Sequence, residues 1–107
     1  MVTVPAEIHA LDIGTIFEET LTDENGAAVD ISSAATVKNF FFQKPDASVV
    51  TKTASFSGTG VDGKMRYTTV ANDLDQAGSW KVQGYVELSS GKWRSSIKTF
   101  LVHSNLA

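Results

Sequence analysis

The chain has 107 residues, of which 42% are hydrophobic and 20% charged, enough for one buried core and too few charges for a disordered segment. Nine Lys and Arg against twelve Asp and Glu give a formal charge of −3, without the basic excess that neutralising phosphates requires, so nucleic acid is not expected as a partner. With zero Cys, disulfides, thiolate catalysis and cysteine-based zinc sites are excluded together.

Residues 1–13 form either an N-terminal arm or a first strand, and residues 14–107 form a single domain. The start of the chain has no basic region and carries Glu7 and Asp12, so no secretory signal is expected there. Nowhere do eighteen apolar residues run together, and no membrane insertion is expected.

Val, Thr and Ser occur eleven times each, and branching at Cβ makes Val and Thr favour strands over helices. Turn signals divide the rest: Asp23-Glu24-Asn25-Gly26, Lys44-Pro45-Asp46-Ala47, Gly58 to Gly63, Asn72 to Gly78, and Ser89-Ser90-Gly91. Strands are predicted over Thr15–Leu21, Ala28–Ile31, Thr36–Gln43, Val49–Phe56, Lys64–Val70, Ser79–Leu88 and Lys92–Val102. No helix longer than a turn is expected, and one short turn fits Asn72–Ala77. About seven short strands in a chain of this length predict an all-β fold, an antiparallel β-sandwich.

In Lys38-Asn39-Phe40-Phe41-Phe42, facing Phe40 and Phe42 inward also draws Lys38 inside, so a bulge is expected at Lys38 or Asn39 to return Val37 to the core. Phe41 then points outward, either as a scattered surface residue or as the centre of a contact with another subunit.

Gly58-Thr59-Gly60-Val61-Asp62-Gly63-Lys64-Met65 satisfies G-x-G-x-x-G and misses the phosphate-loop pattern at Met65. Either phosphate loop needs a helix directly after it. Lys64 to Val70 alternates like a strand, so an inter-strand loop is expected and no cofactor is assigned.

Asp23 and Glu24, like Asp73 and Asp75, fit turn and capping chemistry better than calcium ligation, so no metal is assigned. His9 and His103 lie near opposite ends of the chain, outside any recognisable catalytic spacing, and are expected in solvent. No catalytic residue is assigned and an enzyme is not expected.

From Trp80 onward, Trp80, Val82, Gly84, Val86 and Leu88 alternate with Lys81, Gln83, Tyr85 and Glu87, which places the first set on the core face. A two-residue turn at Ser90-Gly91 sets Glu87 opposite Arg94 and Leu88 opposite Trp93, burying the indole. A three-residue loop pairs Glu87 with Trp93 and exposes it. The first register is favoured.

Asp75-Gln76-Ala77-Gly78-Ser79-Trp80-Lys81-Val82 resembles the corner before strand F of immunoglobulin-like domains, with Trp80 in place of the usual Tyr and Val82 where antibody domains have Cys. A wider resemblance runs through Leu21-Thr22-Asp23-Glu24-Asn25-Gly26, Val29-Asp30-Ile31, Thr36-Val37-Lys38, Lys44-Pro45-Asp46-Ala47 and the Asp75 to Trp80 corner. In order and spacing these are similar to the immunoglobulin-like domains of tailed-phage virion proteins, including the N-terminal domain of baseplate upper proteins. The departures are Ala47, where that turn usually has Gly, and the Lys38-Asn39 region.

The resemblance implies an immunoglobulin-like sandwich without a disulfide and a non-enzymatic virion component of tail, baseplate or capsid, made in the host cytoplasm and assembled in many copies with other virion proteins. Phe41, Tyr85, Ile8 and Leu11 are the interface candidates. The alternative is a carbohydrate-binding or host-attachment module for a surface glycan, with Trp93 and Tyr85 as the available aromatics.

Overall fold

The computed structural model describes residues 2–3, 7–31, 37–56, 58–88 and 91–106. Ten strands follow one another: β1 (Val2–Thr3), β2 (Ile8–His9), β3 (Ile16–Thr20), β4 (Val37–Gln43), β5 (Val49–Thr53), β6 (Ser55–Phe56), β7 (Lys64–Thr68), β8 (Gly78–Leu88), β9 (Gly91–Arg94) and β10 (Lys98–His103). Among the described residues there is no helix, and Ala71–Leu74 form a turn. One sheet has the order β1-β3-β7-β6; the larger has the order β2-β10-β8-β4-β5, with β9 also paired to β8.

Against an expectation of about seven strands, ten are present among the described residues, for reasons visible in the backbone. Two expected strands cross between layers. The run Val49–Phe56 pairs with β4 as β5 and then with β7 as β6, changing sheets at the small, buried Ala54. The N-terminal segment does likewise: β1 runs antiparallel to β3, and β2 runs parallel to β10. Among the described residues, Ala28–Ile31 forms no ladder beyond a single bridge, Thr22 to Ala28. Its backbone is satisfied instead by Val29 N–H donating to Leu21 O and Ile31 N–H donating to Gly60 O, both at 2.9 Å, while Val29 and Ile31 enter the core. Thr36, the expected start of its strand, lies outside the described residues.

The two sheets meet through aromatic side chains. Phe17 from β3 lies 5.1 Å from Phe42 of β4 and 5.0 Å from Phe100 of β10, ring centre to ring centre, and Phe100 stacks on Trp80 of β8 at 5.9 Å. All four are buried, and burying each stabilises the fold by roughly 1.5–3 kcal/mol. Trp80 also closes its own corner: its indole N–H donates to Gln76 O at 3.0 Å, a bond that Phe could not make.

The expected bulge at Lys38 or Asn39 is absent. β4 pairs without interruption from Val37 opposite Glu87 to Gln43 opposite Lys81. Lys38 is accommodated by placing its ammonium group 4.6 Å from the centre of the Phe56 ring.

The bulge sits on the last strand instead. Arg94 lies opposite Tyr85 and Lys98 opposite Val82, so Ser95, Ser96 and Ile97 oppose only Gln83 and Gly84. Ser95 N–H donates to Gly84 O at 3.0 Å, and Gly84 N–H donates to Ser95 Oγ at 2.8 Å. The extra residue reverses the alternation, which lets Trp93 before it and Phe100 after it both face inward.

The register of this hairpin is corrected too. Gly91 is not in the turn but pairs with Leu88, Glu87 faces Lys92, and Trp93 faces Val86. Ser89 and Ser90 lie outside the described residues. Trp93 is half-buried against the core, with its ring over Gly91.

Candidate functional site

The outer face of the larger sheet gathers the most chemistry. Phe41 on β4 stacks on Tyr85 of β8 at 5.6 Å, and the Arg94 guanidinium lies 4.5 Å from the centre of the Tyr85 ring on its cross-strand neighbour β9. The Tyr85 hydroxyl donates to Glu87 Oε2 at 2.7 Å, and this bond and, to a lesser degree, desolvation raise the phenol above its ordinary value. Tyr85 is thereby only 7% exposed although it points away from the core. It supports the stack, and Phe41 is its half-buried outer member.

Beside Phe41 the face dips into a groove of about 260 Å³. Phe41, Val49 and Ile97 supply its apolar walls, and Gln43, Gln83 and Lys81 its polar ones. Cross-strand register explains the grouping. Gln43 lies opposite both Val49 and Lys81, and Phe41 opposite Gln83, so two adjacent rows of outward side chains flank the groove. The Gln83 amide is held by donating to Ser95 O of the bulge at 2.9 Å.

The other two interface candidates part company. Ile8 is 1% exposed and belongs to the core, where β2 docks beside β10, so its side chain is withdrawn from any contact surface of this folded chain. Leu11 is 61% exposed and has φ of 68°, a conformation that costs a non-glycine residue about 1–2 kcal/mol. It is held there by Leu11 N–H donating to Leu74 O at 2.7 Å.

The two histidines, unrelated in sequence, meet across the parallel β2–β10 pair with ring centres 5.5 Å apart. His9 Nε2 lies 2.6 Å from Glu7 Oε2. This contact raises the imidazole above its ordinary value and lowers the carboxyl. No spacing rule could reveal the pair, because long-range strand pairing creates it.

At one end of the core, the Tyr67 hydroxyl and Val70 N–H donate to Asp73 Oδ2, and Lys52 Nζ reaches Asp73 Oδ1 at 2.9 Å. These groups tie β5, β7 and the turn after β7 together. Asp73 thus does more than the capping expected of it. Among the described residues, no group of three or more His, Cys, Asp and Glu is arranged to hold a metal ion.

The glycine-rich loop has a structural task. Gly63 has φ of 76°, and a Cβ there would stand 2.8 Å from the carbonyl oxygens of Leu21 and Val29. That close approach lets Gly63 O accept from Leu21 N–H at 2.9 Å, and a strand, not a helix, follows the loop. No phosphate-binding helix end is formed.

No family model matches the chain, and neither a curated protein nor a solved structure matches it.

Proposed function

We propose that the chain is a non-enzymatic structural component of a tailed-phage virion, built on an immunoglobulin-like sandwich and assembled in many copies through protein contacts. The observation that carries this reading is the strand pairing. If β1, β3, β7 and β6 are taken as strands A, B, E and D, and β10, β8 and β4 as G, F and C, their order matches the ABED and GFC layers of that fold, with β5 as an added strand beside C. The Trp80 corner supports it as well. Its indole N–H bonds to the backbone four residues upstream, the task a tyrosine hydroxyl performs at the corresponding corner.

Contacts with other virion proteins run, on this proposal, through Leu11 and through open sheet edges, which can add a strand of a partner's sheet. Many weak copies then act together. The test is mass spectrometry of purified, dissociated particles from the source. The chain is expected at a fixed multiple of a known virion protein, and its absence from intact particles overturns the assignment.

A further inference from the structure

We propose that the groove beside Phe41 is a binding site for a short carboxylate-bearing saccharide. The inference goes beyond the virion reading and does not rest on it. The strands under the groove, β4 and β8, are each paired on both sides, and the free edge of β5 lies beyond Val49 at the groove's rim, so the groove floor itself presents side chains and not open backbone. Recognition there falls to side chains.

Those side chains suit a sugar ring. Phe41, Val49 and Ile97 form an apolar wall for the C–H face of a pyranose, while the amides of Gln43 and Gln83 each carry donor and acceptor, as a sugar hydroxyl does. The volume of about 260 Å³ lies just below the ~300–1,000 Å³ of pockets for larger small molecules.

Two features are set before any ligand arrives. The Phe41 ring is backed by Tyr85, which is itself fixed by Arg94 and Glu87, and the Gln83 amide is anchored to Ser95 O. The charge then selects the sugar. Lys81 is the one charged side chain lining the groove and has no carboxylate partner among the described residues. An anionic substituent on the saccharide complements it.

The experiment titrates the 15N-labelled full chain with tri-galacturonate and, separately, with the uncharged galactose trisaccharide, following backbone and glutamine amide shifts. Saturable shifts at Phe41, Gln43, Lys81, Gln83 and Ile97 with the acidic sugar, and much weaker ones with the neutral sugar, are the expected result. Lys81→Gln, a change at an exposed position, is expected to weaken binding about tenfold or more with an unchanged unfolding midpoint. Phe41→Leu tests the ring in the same way.

Equal binding of both sugars overturns the assignment, as does no saturable shift at millimolar sugar. Shifts at these residues that follow protein concentration without sugar also overturn it, and assign the face to contacts between copies. Particle composition and sugar titration are independent measurements, so failure of either proposal is distinguishable from failure of the other.

Discussion

Glu19 on β3 and Gly84 on β8 face each other across the two sheets so closely that a Cβ on Gly84 would stand 2.7 Å from Glu19 Cγ and 2.9 Å from Met65 Cε. Glu19 is 0% exposed. A carboxylate is thus folded into the layer between the sheets, and the bare backbone at Gly84 makes the room for it.

Gly84→Ala should therefore overpack this layer. The displaced atoms include the middle of the Glu19 side chain as well as the mobile end of Met65, so the expected loss is about 1–3 kcal/mol, read as a lower urea midpoint. In a double-mutant cycle, Glu19→Ala is expected to remove most of the penalty of Gly84→Ala. Additive losses would show that the two residues do not compete for space.

Glu19 also makes a prediction about pH. Burial pushes its carboxyl above the ordinary 4.5. The folded chain then keeps a proton that the unfolded chain has already released, so this group favours folding most at low pH. That contribution is lost as pH rises from about 4.5 through the raised folded value. Glu19→Gln stays neutral throughout and should abolish the slope. The check is the difference in unfolding free energy between the two proteins from pH 4 to pH 8, which should widen as pH rises.

Ala47, in the turn after β4, has a φ of 71°, the left-handed region that favours glycine. Its N–H donates to Lys44 O at 2.9 Å and Ser48 N–H donates to Asp46 Oδ1 at 2.9 Å, so the turn is well bonded and the strain lies in the side chain's Cβ alone. Ala47→Gly is expected to stabilise the fold by about 0.5–1 kcal/mol, the relief of the left-handed conformation less the extra entropy of glycine in the unfolded chain. A calorimetric melting temperature that falls would refute this.

The same turn holds Asp46 at a pKa of about 2, through hydrogen bonds from the Ser48 hydroxyl and N–H and from the Gln76 amide. Its effect on stability is present above the ordinary 3.8 and is lost only as pH falls through about 2. A carboxyl-carbon NMR titration should find Asp46 still ionised at pH 3, and Ser48→Ala should raise its midpoint toward 3.8. A wild-type midpoint near 3.8 would show that these bonds are not formed in solution.

How far the sequence foretold this molecule depends on whether the governing contacts are local. The β8 alternation and the turns at Asp23 and Lys44 were legible, since a strand's period and a turn's side-chain bonds lie within a few residues. The bulge was placed on the wrong strand. Lys38 is a conspicuous polar intruder, but Phe56 from another strand accommodates it. The real clue was quieter: Trp93 stands at an odd position and Phe100 and Val102 at even ones, and one strand can bury both sets only with an extra residue between them. The outer face was half legible. Phe41 and Tyr85 were identified singly, but the groove with Gln43, Lys81 and Gln83 exists only once the β4–β8 register is known. Ile8 is buried in the fold, which the sequence does not show because a short apolar run near a terminus reads the same whether it docks or dangles.

Asp73 offers the last test, because three elements depend on one carboxylate. Burial alone would raise its pKa, but the hydrogen bonds from the Tyr67 hydroxyl and Val70 N–H and the Lys52 ammonium group outweigh it and hold the carboxyl below the ordinary 3.8. Burial and the bond to Asp73 in turn raise the Tyr67 phenol above its ordinary 10.0, so the pair persists well into alkali. Tyr67→Phe keeps the ring against Phe42 and removes only the hydroxyl, so the expected loss is about 1–2 kcal/mol at neutral pH. The sign of the pH effect follows. Asp73 stabilises the fold above about pH 3.8, and this is lost as pH falls through its lowered folded value. In Tyr67→Phe that value rises, so acid unfolding should begin at a higher pH than in the wild type. An unchanged acid limb together with a lower neutral stability would mean that the hydroxyl matters for packing and not for holding the charge.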